Sequence, residues 1–290
     1  MNSRYSPVIV IGMHRSGTTL ITRMLEDLGL FVGATREGNE EATFFRTINE
    51  WLMSQSGAAW DHPDPINYLL RNKDIRPLTQ DYIVRYLMES PRVISFLGWR
   101  KYLRYGTPFE LDCPWGWKNP LNTYTLPLWL DIFPTAKVIH VYRHGVDVAN
   151  SLMERTLHGM QRTSTQRLYY KLRSLHWIRP KVAGFIPSMR CASLDGGLSL
   201  WEEYLSQARY YTHKMPGRAL EIKYEDLLSD PYPAVKTLAQ FCALSAKEIC
   251  LHNAARQVNK ERAYAYRQNR ELKSFADGVA DRLVAHNYSA

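Results

Sequence analysis

No stretch of this chain approaches the roughly 18 consecutive apolar residues that a membrane-spanning helix requires. Residues 1–7 lead straight into an apolar run, so neither a signal peptide nor an anchor is read there. Cysteine is scarce. Cys113, Cys191, Cys242 and Cys250 form no CxxC pair and show no metal-ligand spacing, which argues against a disulfide framework or a zinc module. Reduced thiols and the lack of a leader lead us to expect a cytoplasmic protein. Internal repeats and low-complexity tracts are absent as well. Acids are in short supply, 28 Asp and Glu against 37 Lys and Arg, for a net charge of +9. That excess suggests an anionic ligand or acceptor, although nucleic acid would suit it too. What remains is ordinary for a globular chain: 290 residues, 45% hydrophobic and 22% charged, enough for one large α/β domain over 1–290.

The most informative segment is Gly12-Met13-His14-Arg15-Ser16-Gly17-Thr18-Thr19-Leu20. It follows the apolar run Val8-Ile9-Val10-Ile11 and precedes an amphipathic one, which predicts a strand over 7–12, a loop over 12–17 and a helix over 18–28. Unpaired N–H groups at a helix start, aided by the helix dipole, favour an anion there. Gly12 and Gly17 have the spacing of a Walker A loop, but Thr18 occupies the lysine position and the added cation is Arg15. The loop is thus of phosphate type, adapted to something other than ordinary ATP chemistry.

A second junction of the same kind lies downstream. Lys137–Tyr142 reads as a strand, and Arg143-His144-Gly145 turns it into a helix over 146–157 that carries Ser151. An arginine fork and a hydroxyl suit a second phosphate, each charge-assisted bond being worth about 1.5–3 kcal/mol. Further expectations are a helix over 41–56, one or two helices over 75–106 broken at Pro91, a helix over 122–132, a strand over 219–224 and a helix over 233–243. Strands separated by helices predict a parallel sheet covered on both faces, with ligand beyond the carboxyl ends of the strands.

Together the two junctions resemble the PAPS-dependent sulfotransferases, PAPS being 3′-phosphoadenosine 5′-phosphosulfate. GMHRSGTTL is similar to their 5′-phosphosulfate loop, and Val141 to Ser151 to their 3′-phosphate motif, an arginine with a serine eight residues on. Trp117-Lys118-Asn119-Pro120, Phe133 to Lys137, and Tyr224-Glu225-Asp226-Leu227-Leu228-Ser229-Asp230-Pro231 add to the likeness, which is greatest to bacterial members and to the tyrosylprotein and heparan-type relatives. It covers about 7–31, 115–157 and 219–245.

The resemblance implies a P-loop-like three-layer α/β/α fold, a central parallel sheet of about five strands and helical insertions near 32–110 and 155–200. It implies sulfuryl transfer from PAPS to a hydroxyl, or an amine, with release of adenosine 3′,5′-bisphosphate and no metal required. Arg15, Ser16, Gly17, Thr18 and Thr19 would hold the 5′ end of the donor, and Arg143 with Ser151 the 3′-phosphate. Arg15 and Lys118 would serve the leaving group. For the base the chain offers Glu37, Glu40 and Glu41, with His14 as a substitute; Glu41 is favoured because it would share an inward helix face with Phe45 and Ile48. A solvated helix start explains Glu40 and Glu41 equally well.

Other features stay open. His140 and His144 have a metal-pair spacing but straddle a strand end, so no metal site is expected. Lys260, Arg262, Tyr264 and Arg267 would line the nucleotide, or belong to a solvated helix. Residues 155–194 carry eight basic residues and no acid, with Tyr169, Tyr170, Trp177 and Phe185 interleaved. They read as contacts for an acceptor that is a small molecule, a carbohydrate or another anionic hydroxyl compound, or as a lid with its cations in water. Nucleic acid is not the expected partner. A P-loop kinase of a small molecule and a non-enzymatic polyanion binder are the rival readings.

Overall fold

The computed structural model describes residues 5–165 and 188–288. In chain order the elements begin with β1 (Val8–Ile11), α1 (Thr18–Asp27), β2 (Arg36–Glu37), β3 (Glu41–Ala42), α2 (Thr43–Gln55), α3 (Ile66–Arg71), α4 (Ile75–Glu89) and α5 (Ile94–Tyr105). Then come β4 (Gly116–Lys118), α6 (Asn122–Ile132), β5 (Lys137–Tyr142), α7 (Gly145–Thr165), α8 (Leu194–Thr212) and β6 (Ala219–Lys223). Helices α9 (Tyr224–Ser229), α10 (Pro231–Phe241), α11 (Glu248–Ala255), α12 (Arg270–Gly278) and α13 (Ala280–Val284) complete the order.

Two compact units share these elements, Met1–Arg143 with Glu203–Tyr264, and His144–Glu202 with Ala265–Ala290. The first holds the sheet, in the order β4-β1-β5-β6. All three pairings are parallel, with Val8 opposite both Gly116 and Lys137, and His140 opposite Glu221. Four strands form this sheet among the described residues, where about five were expected. The long insertion between α1 and β4 contributes helices and the separate β2–β3 hairpin instead.

Every residue of β1 is buried, as a strand covered on both faces must be. Alternation along the strand sends Val8 and Val10 to an aliphatic layer with Ile21, Met24, Leu25, Leu238 and Leu251. Around β4 the packing is aromatic: Phe45 of α2 stacks on Trp117 at 4.1 Å, and Trp129 meets Trp117 edge-on at 5.1 Å. Because β1 has β4 on one side and β5 on the other, the strand order switches at β1, and such a switch opens a crevice at the carboxyl ends of the strands.

The second unit is helical. Val146, Val148, Ala149 and Leu152 of α7 are fully buried, as are Leu198 and Leu200 of α8. Gly197 comes so near α7 that a Cβ would lie 3.1 Å from the Ala149 Cα. His144 stacks on Tyr266 at 4.3 Å, and the Tyr266 N–H donates to Asp147 Oδ1 at 2.8 Å. Arg282 grips Glu202 with Nε at 2.9 Å and Nη2 at 2.6 Å. No helix among the described residues is long and apolar enough to cross a membrane.

Candidate active site

The first junction forms at the end of β1. Gly12 and Gly17 have φ values of 137° and 94°, a backbone region that glycine enters without steric cost. Both positions are also too crowded for a side chain. A Cβ on Gly12 would lie 2.2 Å from the Val141 carbonyl oxygen, and one on Gly17 would lie 2.3 Å from the Tyr224 ring. Arg15 is exposed and takes a left-handed φ of 71°, strain of a kind that collects at functional loops.

Helix α1 has Gly17 as its N-cap, with no side-chain cap and no acid in its first turn, so its N–H groups and dipole are suited to an anion without an internal competitor. Ser16 is 1% exposed, and its hydroxyl, buried in the loop, has no hydrogen-bond partner. A buried hydroxyl of this kind is costly unless a ligand satisfies it. Thr18 is buried, and Thr19 Oγ1 donates to the Asn39 carbonyl of the β2–β3 hairpin at 3.2 Å. The Gly12 N–H donates to Thr123 Oγ1 at 3.2 Å, fixing the loop to the start of α6.

Arg143 directly follows β5, the strand beside β1. Its guanidinium lies 5.1 Å from the centroid of the Tyr224 ring, and Nη2 donates to the Arg262 carbonyl at 2.8 Å. The same tyrosine ring packs on Gly17, so one side chain touches both the first loop and the arginine of the second junction. Ser151 lies half-buried in α7, in the second unit.

Glu41 is where expectation and structure diverge in part. It belongs to β3, two residues before the helix begins at Thr43, and so does not share a helix face with Phe45 and Ile48. It points inward all the same. Its carboxylate accepts from Lys118 Nζ at 3.0 Å and from Asn119 Nδ2 at 2.8 Å, with Lys118 at 2% and Glu41 at 9% exposure. Lys118 is the last residue of β4, next to β1.

The other acids are engaged elsewhere. Glu40 pairs with Arg36 at 2.7 Å and Arg23 at 3.0 Å, and Glu37 pairs with Arg46 at 2.7 Å. His14 is half-buried against Trp60, ring centroids 5.2 Å apart. Of the three glutamates, Glu41 alone is buried and joined to a candidate cation of the site.

His140 and His144 have separate partners. His140 Nδ1 lies 3.1 Å from Glu221 Oε1, and burial pushes its pKa down, which keeps the ring neutral near pH 7. Among the described residues no group of three or more His, Cys, Asp or Glu could hold a metal ion. Of the C-terminal basic residues, Arg262 meets Arg143 through its carbonyl, and Lys260 Nζ donates to the Ser229 carbonyl at 3.3 Å. Arg267 belongs to the second unit, beside Tyr266. In the basic aromatic tract, Arg155 falls in α7 and Arg190 in a short 3₁₀ turn. Arg167, Tyr169, Tyr170, Lys171, Arg173, Trp177, Arg179, Lys181 and Phe185 lie outside the described residues, as does the Arg162 side chain.

Neither Asn49 nor Asn122 stands out from the pattern of residues alone. Both are completely buried, and Asn49 Nδ2 donates to Asn122 Oδ1 at 2.7 Å and to Asn119 Oδ1 at 3.1 Å. The signal that could have found Asn122 is its place two residues after the Lys118-Asn119-Pro120 turn. Asn49 sits on the inward stripe of α2 among Phe45, Ile48 and Leu52, a position where a polar residue requires a buried partner.

A family model described as the sulfotransferase family matches residues 7–248, a span that takes in both junctions, Glu41, Lys118 and Tyr224. No curated protein matches the chain. Among solved structures, sulfotransferase STF1 from Mycobacterium tuberculosis is 15% identical with a TM-score of 0.47, over 87% of this chain and 71% of that one. A sulfotransferase from Alicyclobacillus acidocaldarius is 15% identical with a TM-score of 0.48, over 98% and 97%. Mouse sulfotransferase SULT7A1, complexed with PAP, is 12% identical with a TM-score of 0.42, over 93% and 68%. With the family model covering most of its length, the chain belongs to the sulfotransferase family.

Proposed function

We propose that this sulfotransferase takes its sulfuryl group from PAPS and delivers it to a hydroxyl, or an amine, of an anionic or sugar-like small molecule. The observation that carries the reading is Tyr224, whose ring lies against both Gly17 of the first loop and Arg143 of the second junction. The loop after β1 and the arginine after the neighbouring strand β5 thus flank one side chain within one unit, which supports a donor phosphorylated at both its 5′ and 3′ positions. The orphaned hydroxyl of Ser16 and the uncapped start of α1 fit the 5′-phosphosulfate. Ser151 is assigned to the 3′-phosphate with Arg143 on the strength of the sequence motif.

In this mechanism Glu41 takes the proton from the acceptor hydroxyl, whose oxygen lone pair forms the new O–S bond. The S–O bond to the 5′-phosphate breaks, its electron pair passing to the phosphate oxygen, and adenosine 3′,5′-bisphosphate leaves. Arg15 and Lys118 meet the charge that develops on that oxygen. Fixed cations at such a point stabilise the transition state more than the ground state.

Thermal-shift titration tests the donor. Adenosine 3′,5′-bisphosphate without magnesium should raise Tm, since ligand at about 100 times its Kd adds about 2.7 kcal/mol of stability. No shift with the bisphosphate, together with a magnesium-dependent shift from ATP, would overturn the reading in favour of a kinase.

A further inference from the structure

Glu41 stands at the end of a chain of buried amides. Trp129 Nε1 and Thr125 Oγ1 donate to Asn49 Oδ1 at 2.9 and 2.8 Å. Asn49 Nδ2 donates to Asn119 Oδ1 at 3.1 Å and to Asn122 Oδ1 at 2.7 Å. Asn119 Nδ2 then donates to Glu41 Oε2 at 2.8 Å, while Asn119 Oδ1 also accepts from the Leu121 N–H at 3.0 Å. Asn122 accepts from Trp117 Nε1 at 3.1 Å and donates to the Val10 carbonyl of β1 at 3.2 Å. Asn49, Asn119, Asn122 and Thr125 are all 2% exposed or less.

This network has a direction. Indole N–H groups can only donate, so they fix Asn49 with its oxygen toward Trp129 and its NH₂ toward the other amides. Asn119 must then turn its oxygen toward Asn49 and its NH₂ toward Glu41. A flipped Asn119 would set oxygen against carboxylate and NH₂ against NH₂. The far end accordingly demands an acceptor at Glu41 Oε2, which a carboxylate supplies and a carboxylic acid protonated on that oxygen does not. Two of the roughly four lone-pair positions of the carboxylate are used by Lys118 and Asn119, and the others remain for an incoming proton.

We infer that Asn119 and Asn49 are positioning residues, a directional relay that holds Glu41 as an oriented carboxylate and ties it through Asn122 to β1, the strand that leads into the phosphate-type loop. The inference rests on the reading of Glu41 as base and deepens it. Neither asparagine touches the reacting atoms. Their effect passes through the side chain of Glu41.

The test is the carboxyl resonance of Glu41, followed by NMR on protein carrying ¹³C-carboxyl glutamate and assigned with Glu41→Gln. In Asn119→Leu the carboxylate loses a donor, so this resonance should move from its wild-type position while the other glutamate carboxyls keep theirs. The kcat of PAPS turnover, read as bisphosphate released with p-nitrophenol as acceptor, should fall about tenfold while the donor KM stays within about twofold. A residue that merely supported the fold would leave the Glu41 resonance unmoved and would not split kcat from KM. An unmoved resonance in folded Asn119→Leu overturns the relay; should that variant not fold, Asn119→Ala is read the same way. The two readings fail separately. If the resonance moves while Glu41→Gln keeps full turnover, the relay stands and the base role falls. If the resonance stays put while Glu41→Gln abolishes turnover, the base role stands without the relay.

Discussion

At the level of single residues, the Glu41–Lys118 pair is the boldest choice the chain makes. Burying two charges costs several kcal/mol per ion before their attraction is counted. The pair is kept nonetheless, one partner at the end of β4 and the other in a two-residue strand of a hairpin. Such pairs are poor sources of stability, but removing one partner leaves a charge stranded. Lys118→Met should therefore destabilise the fold by about 3–5 kcal/mol, measured from urea midpoints. Adding Glu41→Gln to Lys118→Met removes the stranded charge and should restore much of that loss. Equal midpoints for the single and double variants would mean that the two side chains do not interact as an ion pair in solution. Gly12 and Gly17 make a different residue-scale point: their need for glycine comes as much from Val141 and Tyr224 pressing on them as from their φ angles.

At the level of elements, β5 and β6 are joined by more than backbone. His140 and Glu221 face each other in register, and Glu221 also accepts from Thr212 Oγ1 at 2.7 Å. Burial pushes the Glu221 carboxyl up, yet the hydrogen bond and, in acid, the charge of His140, then the bond from Thr212 and the charge of Arg209, outweigh it and hold the pKa at about 2. Burial also lowers His140 below its ordinary 6.5. Both shifts have the same sign for stability. Each folded-state pKa lies below its unfolded value, so the unfolded chain takes up protons first and stability drains away as pH falls. The His140 contribution is complete above pH 6.5 and wanes below it, and the Glu221 contribution is lost between 4.5 and about 2. Urea midpoints measured across acid pH should show both losses, and Glu221→Gln should flatten the lower one. An unaltered lower limb in that variant would remove Glu221 from the account.

The same scale explains what could be read in advance. Strand β1 is legible because a buried parallel strand runs apolar without interruption, whereas β5, β6 and helix α6 are legible from shorter apolar patterns whose ends glycine or proline marks. The β2–β3 hairpin is not, since strands of two residues carry no period, and the apolar spacing therefore puts Glu41 in the following helix. The amide network escaped for another reason. An asparagine on an amphipathic helix reads as solvent-facing, and only the tertiary partners Asn119, Thr125 and Trp129 show that Asn49 faces inward.

At the level of the whole molecule, the sheet order sets the division of labour between cations. Arg15 lies exposed in the loop after β1, the strand flanked by β4 and β5, whereas Arg143 follows β5 and lies over Tyr224. In the proposed mechanism Arg143 meets a 3′-phosphate whose charge is the same before and during transfer. Its contribution is uniform binding, felt equally by ground state and transition state. Arg15 meets an oxygen that gains charge only as the S–O bond breaks, so its contribution belongs to the transition state. Arg143→Ala should accordingly raise the PAPS KM, by tenfold or more if about 1.4 kcal/mol is lost, and leave kcat nearly untouched. Arg15→Ala should lower kcat by a comparable or larger factor with a smaller change in KM. Steady-state kinetics with PAPS as the varied substrate would separate the two. A donor KM unchanged by Arg143→Ala would detach the second junction from the 3′-phosphate. A fall in kcat alone for both variants would mean that neither arginine discriminates one end of the donor from the other, and the convergence of β1 and β5 on a doubly phosphorylated nucleotide would lose its kinetic basis.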